Sequence, residues 1–97
     1  MKTDKILIDI IDEIMSNTEC TYKSKEIETS AFTRQEVNVL IKNLSITVVS
    51  THTDGIARTH SIVMKNIDNR EFVNWIEADD SNFEWCLRMV LNDAKQL

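Results

Sequence analysis

Two histidines, two cysteines and a single glycine bound the chemistry open to this 97-residue chain. His52 and His60 flank Asp54-Gly55, a dipeptide suited to a type I′ hairpin turn, in which both central residues take positive φ. Joint metal binding or acid–base work would need both imidazoles on one side of the hairpin. A two-residue turn at Asp54-Gly55 places Val49 opposite His60 and Thr47 opposite Ile62, which sends His52 and His60 to opposite faces. The expectation is no metal site, with His52 at the tip and His60 on the sheet beside Glu77. Cys20 and Cys86 are too few for a zinc site or a disulfide framework and are expected as reduced, mostly buried thiols. Ser-His-Asp hydrolysis needs a strained nucleophile turn and an oxyanion site, and no stretch supplies them. The one glycine belongs to the hairpin, so no phosphate-cradling loop is available. No catalytic residue, cofactor or small-molecule substrate is expected, and the chain does not read as an enzyme.

The carboxylates are the more informative set. Sixteen acids against eleven bases give a net charge of −5. The acids concentrate in residues 1–19 and 68–97, whereas residues 31–67 are net positive. Asp79, Asp80 and Glu84 flank the start of the last helix, where the dipole favours anions by about 0.3–1 kcal/mol each. Asp9, Asp12 and Glu13 sit in the middle and C-terminal half of the first helix, where the dipole disfavours them. Asp9 and Glu13 add an i,i+4 repulsion, and no base follows in that helix. A local rule broken without local gain marks a candidate functional surface. The candidate partner-binding residues are therefore Asp9, Asp12, Glu13, Glu77, Asp79, Asp80 and Glu84.

The elements that must position these residues read as an α+β domain spanning 1–97: three helices packed with a three- or four-stranded antiparallel sheet centred on a 45–66 hairpin. Residues 4–16 repeat apolar side chains (Ile6, Leu7, Ile10, Ile11, Ile14, Met15) at helical period, capped by Thr3 or Asp4. Lys2 and Lys5 precede an apolar run that Asp9 interrupts, so no signal peptide is expected. Residues 20–28 alternate as a short edge strand guarded by lysines. Residues 33–44 read as a second helix. Thr33-Arg34-Gln35-Glu36 matches a capping box, Phe32 and Val37 a hydrophobic staple, and Val37, Leu40, Ile41 and Leu44 a buried stripe. In the hairpin, one face carries Val49, Ile56, Ile62 and Met64, the other Ile46, Val48, Ala57 and Val63, with the polar tip Ser50–Thr59 in water as a secondary contact. Residues 70–77 fit a third strand, Val73 opposite Met64, Trp75 opposite Ile62 and Glu77 opposite His60, although Phe72, Val73 and Ile76 also fit a helix. Ser81-Asn82-Phe83-Glu84 matches another capping box and opens a helix over 82–95, with Phe83, Cys86, Leu87, Val90, Leu91 and Ala94 inward. Phe72, Trp75, Phe83 and Trp85 lack the interleaved bases of a nucleic-acid stacking platform and are assigned to core packing. Trp85 falls beside the inward stripe, where exposure would make it an interface anchor.

An acidic chain makes direct binding to nucleic acid or an anionic membrane unfavourable and permits a basic protein partner. No apolar run reaches the roughly 20 residues that span a bilayer, and a cytoplasmic location is expected. In size, acidity, α+β make-up and lack of catalytic motifs, the chain resembles the small acidic anti-CRISPR proteins encoded by phages, closest to the type I-F group. That resemblance implies a non-enzymatic inhibitor acting in the host cytoplasm. It would bind the basic DNA-docking surface of a CRISPR-Cas ribonucleoprotein as a partial DNA mimic, its carboxylates taking the places of phosphates. With eleven bases diluting the field, mimicry would be local, through a carboxylate stripe. The alternative is an immunity protein or antitoxin that neutralises a basic nuclease.

Overall fold

Val37, Leu40, Ile41 and Leu44 repeat at helical period while Val37, Val39 and Ile41 alternate, and in the computed structural model alternation wins. The model describes residues 2–16 and 20–96 and, for Lys2, Thr3, Asp4 and Ile6, the backbone alone. The cap expected at Thr3 or Asp4 and the burial of Ile6 lie outside the described side chains. The chain runs α1 (Lys2–Ile14), β1 (Cys20–Glu28), β2 (Phe32–Ile41), β3 (Leu44–Thr53), β4 (Thr59–Asn66), β5 (Phe72–Asp79), α2 (Phe83–Gln96). The five strands form one antiparallel meander in sequence order. Among the described residues, two helices and five strands replace the expected three helices and three or four strands.

The overturned element is the helix read over 33–44. Thr33, Val37 and Val39 are β-branched, and β-branched side chains pack well on a pleated surface while losing χ1 freedom in a helix. Their alternation buries Gln35, Val37, Val39 and Ile41 on one side. Ile41 pairs with Leu44, so Lys42 and Asn43 form the turn into β3, with Lys42 at a positive φ of 55°. The Thr33–Glu36 capping box and the Phe32–Val37 staple therefore do not form. Nor does the box at Ser81. Asn82 is the residue before α2, its carbonyl accepting from the Cys86 amide at 3.0 Å.

Both hairpin registers differ from expectation by one residue. The β3–β4 connection is five residues long, Asp54–Arg58, with the Ile56 amide bonded to the Thr53 carbonyl and Gly55 at φ 76°. Ser50, rather than Val49, therefore faces His60. In β5, Ala78 rather than Glu77 faces His60, and Trp75 faces Val63. A one-residue slip exchanges the faces. Ile46, Val48, Ile62 and Met64 share the buried side, and Thr47, Val49, Val63 and Trp75 share the open side. The Asn66-led turn into β5 holds Arg70 at φ 62°, and a bulge at Met64/Lys65 brings Phe72 onto the same face as Trp75.

One cluster of buried side chains joins the layers: Leu7, Ile10, Ile11 and Met15 from α1, the inward residues of β2–β4, and all six predicted residues of α2. Burial is worth about 1.5–3 kcal/mol for each fully buried Leu, Ile or Phe. α2 lies over β4 and β5, with α1 beside it. Cys20 at the start of β1 packs against the core, the helix-side Tyr22 beyond it is exposed, and among the described residues no element covers the opposite face of the sheet. Phe72 and Trp75 are exposed, against the expectation of core packing, Trp85 beside the inward stripe is exposed too, and Phe83 alone of the four aromatics is buried. Among the described residues, no helix is long and apolar enough to cross a membrane.

Candidate functional site

The inward stripe of α1 fixes where its acids point. With Leu7, Ile10, Ile11 and Met15 against the sheet, Asp9, Asp12 and Glu13 project to solvent, and all three are exposed. The missing base of α1 is supplied by α2. Arg88 donates through Nη1 to Glu13 Oε2 at 2.5 Å and through Nη2 to Glu84 Oε1 at 3.4 Å. Lys95 Nζ donates to the Ile14 carbonyl at 3.0 Å, a cation at the negative end of α1. Lys42 Nζ does the same for α2 through the Lys95 carbonyl. The Arg88 guanidinium is held further above its already high range, first by its hydrogen bond to Glu13. Glu13 thus has a structural partner that the helix sequence alone does not reveal. Asp9 and Asp12 have no ion-pair or hydrogen-bond partner among the described residues.

The acids nearer the C-terminus are occupied differently. Asp79 Oδ1 accepts from the Ser81 amide at 2.9 Å, the Ser81 hydroxyl at 2.5 Å and the Asn82 amide at 3.3 Å. These donors, the Ser81 hydroxyl first, hold its carboxyl below the usual value of 3.8. Asp80 Oδ1 meets His60 Nε2 at 2.6 Å. Glu77 lies on the open face and accepts from Trp75 Nε1 at 2.9 Å. The seven predicted residues therefore divide into three groups. Asp9, Asp12, Glu13 and Glu84 share the helix layer, Asp79 and Asp80 hold the loop before α2, and Glu77 stands on the other side of the sheet. Asp93, exposed on α2, belongs with the first group and was missed.

The structure also assembles a Ser-His-Asp chain that the wrong register concealed. Ser50 Oγ and His60 Nδ1 are 2.6 Å apart. With Nε2 donating to the Asp80 carboxylate, Nδ1 is left to accept the Ser50 proton. That is the proton path of a hydrolase relay with the two ring nitrogens exchanged. The surroundings are not those of a hydrolase. Ser50 is 4% exposed and His60 2%, and the imidazole stacks on Phe83 with centroids 4.1 Å apart. Ser50 lies within a paired strand whose backbone amides serve the ladder, whereas an oxyanion site needs free N–H donors. The chain satisfies buried polar groups and ties β3 and β4 to the loop before α2. Nor is Ser50 part of a solvent-exposed tip, as expected from its sequence.

His52 falls on the same face as His60, not the opposite one, because both follow the parity of Ser50. It stands exposed beside Glu28, Phe32 and Asp54 in a shallow cleft of about 140 Å³. A larger depression of about 300 Å³ on the open face is lined by Lys23, Lys25, Glu36, Asn38 and Thr47. Asn38 Nδ2 is already bonded there to Ser45 Oγ and Thr47 Oγ1. Both cysteines are free, Cys86 buried and Cys20 half-buried, with the Cys20 thiol pushed up by burial and then by nearby Asp12. No group of three or more His, Cys, Asp or Glu among the described residues has metal-binding geometry. Comparisons with protein-family models, curated proteins and solved structures returned no match.

Proposed function

We propose that the protein acts by binding rather than catalysis, as an inhibitor whose acidic helix layer occupies a basic, nucleic-acid-docking surface of a CRISPR surveillance complex. The observation that carries this reading is the exposure of Asp9 and Asp12 on one face of α1 without cationic partners among the described residues, while Arg88 is engaged by Glu13 and Glu84. Lys23, Lys25, Arg34 and Lys65 lie on the open face of the sheet, Arg88 and Lys95 of the helix layer are engaged by Glu13, Glu84 and the Ile14 carbonyl, and Lys5, one turn before Asp9, is the base nearest these carboxylates in sequence. A surface of this kind suits a lysine- and arginine-lined groove, where carboxylates take the positions of phosphates. Such association is steered by charge and weakens as salt screens it.

Pull-down from a bacterial lysate at low and high salt tests the reading. Recovery of a ribonucleoprotein at low salt and its loss at high salt supports it. Recovery of a basic nuclease without guide RNA would instead make this an immunity protein, and a complex indifferent to salt would remove the acidic layer from the account.

A further inference from the structure

The two edges of the sheet are built differently. β1 carries Lys23 and Lys25 on the open face and Glu26 and Glu28 on the helix face. A second copy that continued the sheet through β1, about a two-fold axis normal to it, would keep like faces together. Every antiparallel register centred within residues 23–27 then sets lysine against lysine or glutamate against glutamate, which is destabilising. On the β5 edge only registers centred on residues 77–79 set acid against acid, and those centred on 72–76 set no like charges opposite within the strand. Glu77 and Asp79 are its only charged residues. Phe72 and Trp75 are each 61% exposed, and Val73 is 45% exposed.

The helix layer continues this apolar border. Glu84 and Arg88 mark the flank of α2 that faces α1. Met89, half-buried, lies on the flank turned away from α1, as does the exposed Asp93 one turn on, and Trp85, 67% exposed, stands on the crest between the two flanks. Side chains from both layers thus line one free strand edge.

We propose that this edge is an interface between two copies of the chain, with β5 pairing antiparallel to β5 of the second copy about a two-fold axis at Ile76. The sheets then join into one, with the helices of both copies on the same side. In this register Ile76 meets its own copy, Asn74 faces Ala78, and Trp75 faces Glu77. The Trp75 Nε1–Glu77 Oε1 bond of 2.9 Å within one chain shows that indole and carboxylate share a face at bonding reach. Across the axis the same complementary pair recurs twice, as a self-complementary interface requires, and no like charges stand opposite. That self-complementarity, absent from β1 in registers centred on residues 23–27, selects a second copy over a foreign strand.

Sedimentation equilibrium of the full chain is the test. The expected result is a reversible dimer of 11.2 kDa subunits in the micromolar range, tightening with salt because each copy carries a net charge of −5. Trp75→Glu sets carboxylate against carboxylate and weakens dimerisation at least tenfold. The double variant Trp75→Glu/Glu77→Lys restores it, since each new carboxylate then faces a lysine. Met89→Glu, outside the sheet, also weakens it, and circular dichroism shows all three variants folded. A wild-type chain that stays monomeric to millimolar concentration overturns the proposal, as does a Trp75→Glu defect that Glu77→Lys fails to repair.

Discussion

The acids of α1 and the acids before α2 look alike in composition and differ in what holds them. Asp79 gathers three donors and shapes the turn into α2, and Asp80 anchors the buried His60. Asp9 and Asp12 touch no partner among the described residues and face solvent from a helix whose dipole opposes them. One set is part of the architecture, the other an addition to it. Negative charge alone therefore does not mark a binding surface. The mark is charge that the fold does not use, and Glu13 shows how neighbouring elements change that judgement, since Arg88 reaches it from α2.

The comparison breaks first at His60, whose loss removes what Asp80 anchors. His60→Ala leaves Ser50 and Phe83 without their buried partner and is expected to cost about 3 kcal/mol, read by denaturant unfolding. An effect near zero would mean the Ser50–His60–Asp80 chain contributes nothing to the fold. Asp79→Ala comes next, lowering thermal stability by less than His60→Ala. Because the folded-state pKa of Asp79 is depressed, its contribution is present above about 3.8 and lost as pH falls through the lower folded value. The stability advantage of wild type over Asp79→Ala should therefore be constant above that pH and shrink as pH falls below it. Smallest in stability is Asp9→Lys/Asp12→Lys. Relief of the dipole and of the Asp9–Glu13 repulsion should leave unfolding unchanged or raise stability by a few tenths of a kcal/mol. A clear destabilisation would place these acids with the architectural set.

What the sequence made legible was the geometry of single elements. The inward face of α2 and the bounds of β1 emerged as read, because each depends on local periodicity alone. Residues 33–44 fitted two periods at once, and the capping-box match at Thr33 favoured the wrong one. The β-branched Val37 and Val39 were the available signal. Register depended on loop length, and Asp54-Gly55 opened a five-residue loop rather than forming a two-residue turn. That one-residue shift hid the Ser50–His60 contact and put the histidines on one face, and a second shift, between β4 and β5, moved Trp75 out of the core. The partners of Glu13 and Asp80 lie 75 and 20 residues away, beyond any local rule.

The most direct measurement is competition between this protein and target duplex for a purified surveillance complex, comparing wild type with Asp9→Lys/Asp12→Lys. The account predicts that wild type blocks duplex binding at low salt and that the folded double variant is weaker by about tenfold or more. Equal potency of the two proteins would contradict it.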